Sequence, residues 1–129
     1  MNNRVVLDTN VLVSALISDR GNPAAILDML SEGSLEAVYC QRILDEYAEV
    51  LSRPRFGFPR AEIDAVLDLF KMRGAAVDPM RSVFPMPDES DRVFYDTAVA
   101  GGAVLITGNL KHFPDKPFIV SPAEFIAEL

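Results

Sequence analysis

Cysteine is almost missing from this chain. Cys40 is the single one, so no intramolecular disulfide can form, and the composition suits a reducing compartment. Histidine is equally scarce, with His112 alone. No HExxH helix, no Cys/His zinc spacing and no Walker loop occurs. Ser14 and Ser18 have no base partner nearby in sequence, which leaves nucleophilic serine chemistry without support. No apolar run approaches the ~20 residues that span a bilayer. Met1-Asn2-Asn3-Arg4 leads into a short apolar strand instead of a secretory segment. The expectation is a soluble cytoplasmic protein with no membrane partner. Basic residues are few as well. Lys and Arg number 12 against 19 Asp and Glu, a formal net charge of −7. A simple nucleic-acid binder is more often basic, because phosphate neutralisation supplies most non-specific affinity. The acids are therefore either an evenly solvated surface or partly gathered at a cation site, where a bound ion reverses the local sign.

What the chain does have is apolar residues in short, punctuated runs. They make up 50% of its 129 residues, enough for a real core in one domain spanning 1–129. Val5-Val6-Leu7 reads as a buried strand, followed by a helical stretch from Val11 to Ile17. Asn22-Pro23 resembles an N-cap with proline at the first helical position, opening a helix that stops at Gly33. Leu35 to Tyr39 is a second strand. Gln41 to Leu51 is amphipathic, with Ile43, Leu44, Tyr47, Ala48, Val50 and Leu51 on one stripe. Arg60 to Arg73 is a helix facing inward through Ile63, Val66, Leu67 and Phe70, and stopped by Gly74. Ala75 to Val77 is a third strand, followed by a proline-rich connection. Ser90 to Ala100 is helical. Ala103 to Ile106 and Phe118 to Val120 are strands, and Ser121-Pro122-Ala123-Glu124 is a capping box for a closing helix. Strands alternating with helices predict an α/β fold, a parallel sheet covered on both faces. Ligands in such sheets sit beyond the carboxyl ends of the strands.

That rule directs attention to polar residues after strands. Asp8 follows the first strand directly, and fits either a helix N-cap or a ligand at the sheet end. Thr107-Gly108-Asn109 follows the fourth. If those two strands are neighbours, Asp8 and Asn109 face each other, although Asn109 also suits an ordinary turn. On the Gln41–Leu51 helix, Asp45 and Glu49 point away from the apolar stripe. Glu46 lies about 40° from Val50, at the buried margin, as a boundary side chain or a member of an interior cluster. Asp88, Glu89 and Asp91 crowd a helix start, where acids complement the dipole. Asp91 projects beside Ala98 and Phe94, whereas Asp96 is about 140° away. Asp91 therefore ranks above Asp88 and Asp96 as a site residue. His112 reads as a loop residue. Arg53, Arg55, Lys111 and His112 are either phosphate contacts or solvated loop charges.

Together these pieces resemble the PIN-domain family of nucleases. The resemblance rests on Val5 through Ser14 (VVLDTNVLVS), Ile43-Leu44-Asp45-Glu46-Tyr47, Asp91 through Ala98, and Leu105-Ile106-Thr107-Gly108-Asn109. It extends over essentially the whole chain and is nearest to the stand-alone bacterial PIN proteins that act as toxins of toxin–antitoxin pairs. It implies a three-layer α/β/α sandwich with a central parallel sheet of four to five strands. It implies Mg²⁺- or Mn²⁺-dependent hydrolysis of phosphodiester bonds, usually in RNA. By position it assigns the catalytic and metal-binding carboxylates to Asp8, Glu46 and Asp91, with Asn10 and Thr107 in support. Asn109 stands where the family commonly has a fourth acid, so one negative charge is absent and a second ion is in question. The implied partners are an RNA substrate, a small antitoxin and, as is common in the family, a second copy in a homodimer. The rival from another class is a catalytically weak module that keeps the fold and binds RNA or a partner protein. A phosphoacceptor domain of receiver type also places an Asp after a strand. Here, however, no acidic pair precedes the Asp8 strand, and Glu46 would have no role.

Overall fold

The computed structural model describes residues 2–129. Strand β1 (Arg4–Leu7) is followed by α1 (Thr9–Ile17) and α2 (Asn22–Glu32), β2 (Glu36–Tyr39), α3 (Gln41–Leu51) and α4 (Arg60–Arg73), and β3 (Ala75–Ala76). Then come α5 (Arg92–Gly101), β4 (Val104–Ile106), β5 (Ile119–Val120) and α6 (Pro122–Ala127). Short 3₁₀ turns occupy Glu89–Asp91 and Leu110–His112. All pairings are parallel, in the order β3-β2-β1-β4-β5. The result is an α/β/α sandwich, as the alternation of elements predicts. Among the described residues, no helix is long and apolar enough to cross a membrane.

The central strand is apolar throughout its buried part: Val5, Val6 and Leu7 are 0–1% exposed, as expected where helices cover both faces. The predicted inward residues of α3 and α4 are the ones buried, namely Ile43, Leu44, Tyr47 and Leu51 on α3 and Ile63, Val66, Leu67 and Phe70 on α4. Ala48 and Val50 lie half-buried at the edge of the stripe. The Tyr47 ring packs edge-on to Phe70 at 5.2 Å, and its hydroxyl donates to the Leu7 carbonyl at 2.5 Å. One side chain thus links α3, α4 and β1. Helix α5 is buried from Arg92 to Ala98, and packs across β1, β2 and β4.

Several boundaries differ from the sequence reading; α5, for one, begins at Arg92 after the 3₁₀ turn and not at Ser90. Gly21 caps α2 in place of Asn22, with φ at +98°, a conformation that favours glycine. Asn22 is then the first helical residue and Pro23 the second. Helix α1 begins at Thr9 because Asp8 itself is its cap. Strand β3 ends at Ala76.

Candidate active site

The strand order reverses between β1 and β4, so the carboxyl ends of these two strands form the crevice in which open α/β sheets bind ligands. Leu7 pairs with Ile106, and the Asp8 N–H continues the ladder to the Ile106 carbonyl at 2.9 Å. Asp8 then does two things at once. Its Oδ1 accepts the Thr9 N–H at 2.8 Å and caps α1, while its Oδ2 accepts the Thr107 hydroxyl at 2.7 Å. The cap and the sheet-end acid are one residue. Thr107 is fully buried, and its Oγ1 also accepts the Asn109 N–H at 2.9 Å. It is therefore Thr107 that faces Asp8. Asn109 follows in the exposed loop, and its N–H donates to the same Thr107 hydroxyl that bonds Asp8. Asn10 joins the two loops by accepting the Gly108 N–H at 3.2 Å.

Glu46 reaches the same place from α3. Its Oε2 accepts the hydroxyl of Thr9, the residue next to Asp8. Asp91 stands at the start of α5, half-buried. The three acids feel one another's charge. Burial pushes the Asp8 carboxyl up to about 6 against the opposing Thr107 bond, and the charges of Asp91 and Glu46 add to the rise. Asp91 is raised by burial first, then by Asp88, while His112 opposes. Tyr47, buried beneath them, is pushed well above the ordinary phenol range by burial and then by Asp8. This is a low-dielectric junction with an excess of negative charge. Thr107→Val removes the hydroxyl from a buried carboxylate. It is expected to cost about 1–3 kcal/mol in urea unfolding at pH 7, and to move the Asp8 titration further upward by NMR.

Not every candidate residue comes to this junction. Arg53 is paired with Glu49 at 2.9 Å, and Arg55 lies over the Phe56 ring at 4.8 Å. Arg53 lies beyond the C-terminal end of α3, seven positions on from Glu46. Lys111 is exposed on the turn after Asn109. Asp96 is buried and accepts the Ser82 N–H at 3.1 Å, so it holds the 77–88 connection instead of joining the acids. Arg92 grips the same connection through Ser82 and the Phe84 carbonyl, and is itself held by Glu89 at 2.7 Å.

Two residues ranked low in the sequence are central here. Asp88, Asp91 and His112 bring ligand-capable atoms within 4.8 Å of one another. His112 is not a free loop residue, because its Nδ1 lies 3.2 Å from Asp91 Oδ2. The only hint in the sequence is position, since a residue closing a short turn after β4 can fold back on the α5 start. A cavity of about 320 Å³ opens between the starts of α3 and α5 and the residues after β3. Asp8, Glu46 and Asp91 do not line it, but Gln41, Arg42, Arg81, Glu89 and Arg92 do. Arg42 has no carboxylate within 4.0 Å among the described residues.

A sequence model of the PIN domain matches residues 4–111, a span that holds Asp8, Glu46, Asp91, Thr107 and Asn109 and stops one residue short of His112. An uncharacterized protein of Methanocaldococcus jannaschii is 30% identical over 109 residues, covering 82% of this chain and 70% of its own length. With a parallel sheet reversing at β1 and β4 and an aspartate seated at that reversal, the chain belongs to the PIN-domain family, whose fold is that of a nuclease.

Proposed function

We propose that this protein is a metal-dependent endoribonuclease that hydrolyses RNA phosphodiester bonds, and that it acts as the toxin of a toxin–antitoxin pair. The observation that carries the reading is Asp8. A buried carboxylate raised to about 6 by desolvation and by two neighbouring acids is poorly matched to an empty protein interior and well matched to a cation. The donor set is hard oxygen, which suits Mg²⁺ or Mn²⁺. Asp8, Glu46 and Asp91 would hold the ion. When bound, such an ion neutralises phosphate charge and lowers the pKa of water, the two things phosphodiester hydrolysis needs.

The chain's own residues have positional roles. Thr9 and Thr107 fix the Asp8 carboxylate from two sides, and Thr9 fixes Glu46 as well. Asn10 holds the Gly108 loop against α1. Arg42, one turn before Glu46 on α3, and Lys111, on the turn after Asn109, would supply positive charge for the phosphates of a strand and offset part of the overall negative charge. Arg42→Glu is expected to lower kcat/KM on single-stranded RNA about 10-fold, mainly through KM, while leaving thermal stability unchanged. An unaltered KM would remove Arg42 from the substrate path.

The test of the function is cleavage of a single-stranded RNA oligonucleotide with Mn²⁺ or Mg²⁺, stopped by EDTA, with the matching DNA as control. Retention of RNA without cleavage under either ion would favour the second reading, a binding module weakened at Asn109. A small antitoxin encoded beside this chain should block cleavage when co-purified. Its failure to bind would remove the toxin assignment and leave the nuclease.

A further inference from the structure

Asp88, Asp91 and His112 form a donor set on the outer side of Asp91. Asp88 and Asp91 bracket the 3₁₀ turn that opens α5, and His112 closes the turn after β4, so two segments distant in sequence meet here. The arrangement is held from behind. Asp88 Oδ1 accepts both the N–H and the hydroxyl of Ser90, at 3.0 and 2.8 Å, leaving Oδ2 over. His112 Nδ1 is 3.2 Å from Asp91 Oδ2. That separation is close to the edge between neighbouring donors on an octahedral ion, about 3 Å for bonds of roughly 2.1 Å. The seat is open on one side: the His112 side chain is 45% exposed and that of Asp91 15%.

We propose that His112 is a metal ligand, forming with Asp88 and Asp91 a seat for a divalent cation that favours Mn²⁺ and later transition ions over Mg²⁺. The physical reason is the imidazole. Mg²⁺ selects oxygen donors and holds its waters tightly, whereas a ring nitrogen raises affinity along the transition series. A chain that lacks an acid at Asn109 thereby recovers a donor to Asp91 from three residues further on, as a nitrogen in place of an oxygen. The inference rests on the proposed function only in sharing Asp91.

The test uses the full chain with Mn²⁺ alone and no RNA. Pulsed electron paramagnetic resonance of bound Mn²⁺ should show ¹⁴N coupling from a directly coordinated imidazole. His112→Ala, a half-exposed position whose change should leave the circular dichroism intact, should lose that coupling. It should also weaken Mn²⁺ binding 10-fold or more while changing Mg²⁺ binding little. Bound Mn²⁺ without nitrogen coupling overturns the assignment, as does coupling that persists in His112→Ala or absence of Mn²⁺ binding below millimolar concentration. The readout contains no substrate. Nitrogen coupling without RNA cleavage therefore upholds the ligand and sinks the nuclease, and cleavage without coupling does the reverse.

Discussion

Asp8→Asn is expected to abolish metal-dependent cleavage and, in the same molecule, to make the metal-free protein more stable at pH 7. An amide oxygen can still accept from Thr9 or Thr107, so the α1 cap survives. What disappears is a buried negative charge. The Asp8 carboxyl rises from an ordinary 3.8 to about 6 in the fold. Each unit corresponds to 1.36 kcal/mol, so ionised Asp8 costs the folded state up to about 3 kcal/mol. The sign follows from proton counting. Between about pH 4 and 6 the folded chain holds this proton and the unfolded chain does not, so stability falls as pH rises through that window and levels off above it. The advantage of the asparagine variant should therefore widen by roughly 1–2 kcal/mol between pH 5 and 7 in urea unfolding. Saturating Mn²⁺ should reverse the order. It stabilises the native protein by about 2.7 kcal/mol at one hundred times its Kd and the variant far less. Loss of an ion that contributes several kcal/mol to the transition state lowers cleavage about 1000-fold or more. Full ribonuclease activity in Asp8→Asn would sink the assignment of the site.

Gly74→Ala is expected to be the most damaging of the single-methyl changes. Gly74 ends α4 and leads directly into β3. A Cβ built there would stand 2.5 Å from the Phe70 carbonyl oxygen and 2.7 Å from that of Ala37. Both are backbone atoms, one in the last turn of α4 and one in β2, so no side chain can turn aside to make room. Either α4 lifts from the sheet or β3 loses its pairing with Val38 and Tyr39. The expected cost is about 3 kcal/mol or more, at the upper end for overpacking. That corresponds to a fall in Tm of roughly 10 °C for a chain of this size. The effect should reach the site, because β3 launches the 77–88 connection that Arg92 and Asp96 hold and that delivers Asp88 to Asp91. A variant with native Tm would show that α4 and β2 do not approach as closely as described.

Much of this molecule was readable from local pattern. The β-branched run before Asp8, the 3.6-residue stripes of α3 and α4 and the capping box of α6 each express a preference that the chain satisfies within a few residues. The positions of Glu46 and Asp91 at the apolar margins of their helices, both half-buried, are legible the same way. Arg92, Asp96 and His112 are not. Arg92 is charged and sits in a helix buried on every side, where its burial depends on carbonyls ten and eight residues earlier. Asp96 had the right geometry to be excluded from the acid group, but nothing nearby announced its bond to Ser82.

The sequence by itself determined which residues could form an apolar interior, where most helices stop, and that an aspartate would follow a buried strand. Periodicity and capping are short-range properties, and they act before any two elements meet. Only the tertiary structure decided what Asp8 would face. Parallel pairing of β1 with β4, nearly one hundred residues away, put Thr107 against the carboxylate. The same pairing swung His112 onto Asp91 and gathered like charges in a place too dry to tolerate them alone. Strand order is set by the burial of whole faces, and so no single stretch of the chain could have specified the chemistry that assembles around Asp8.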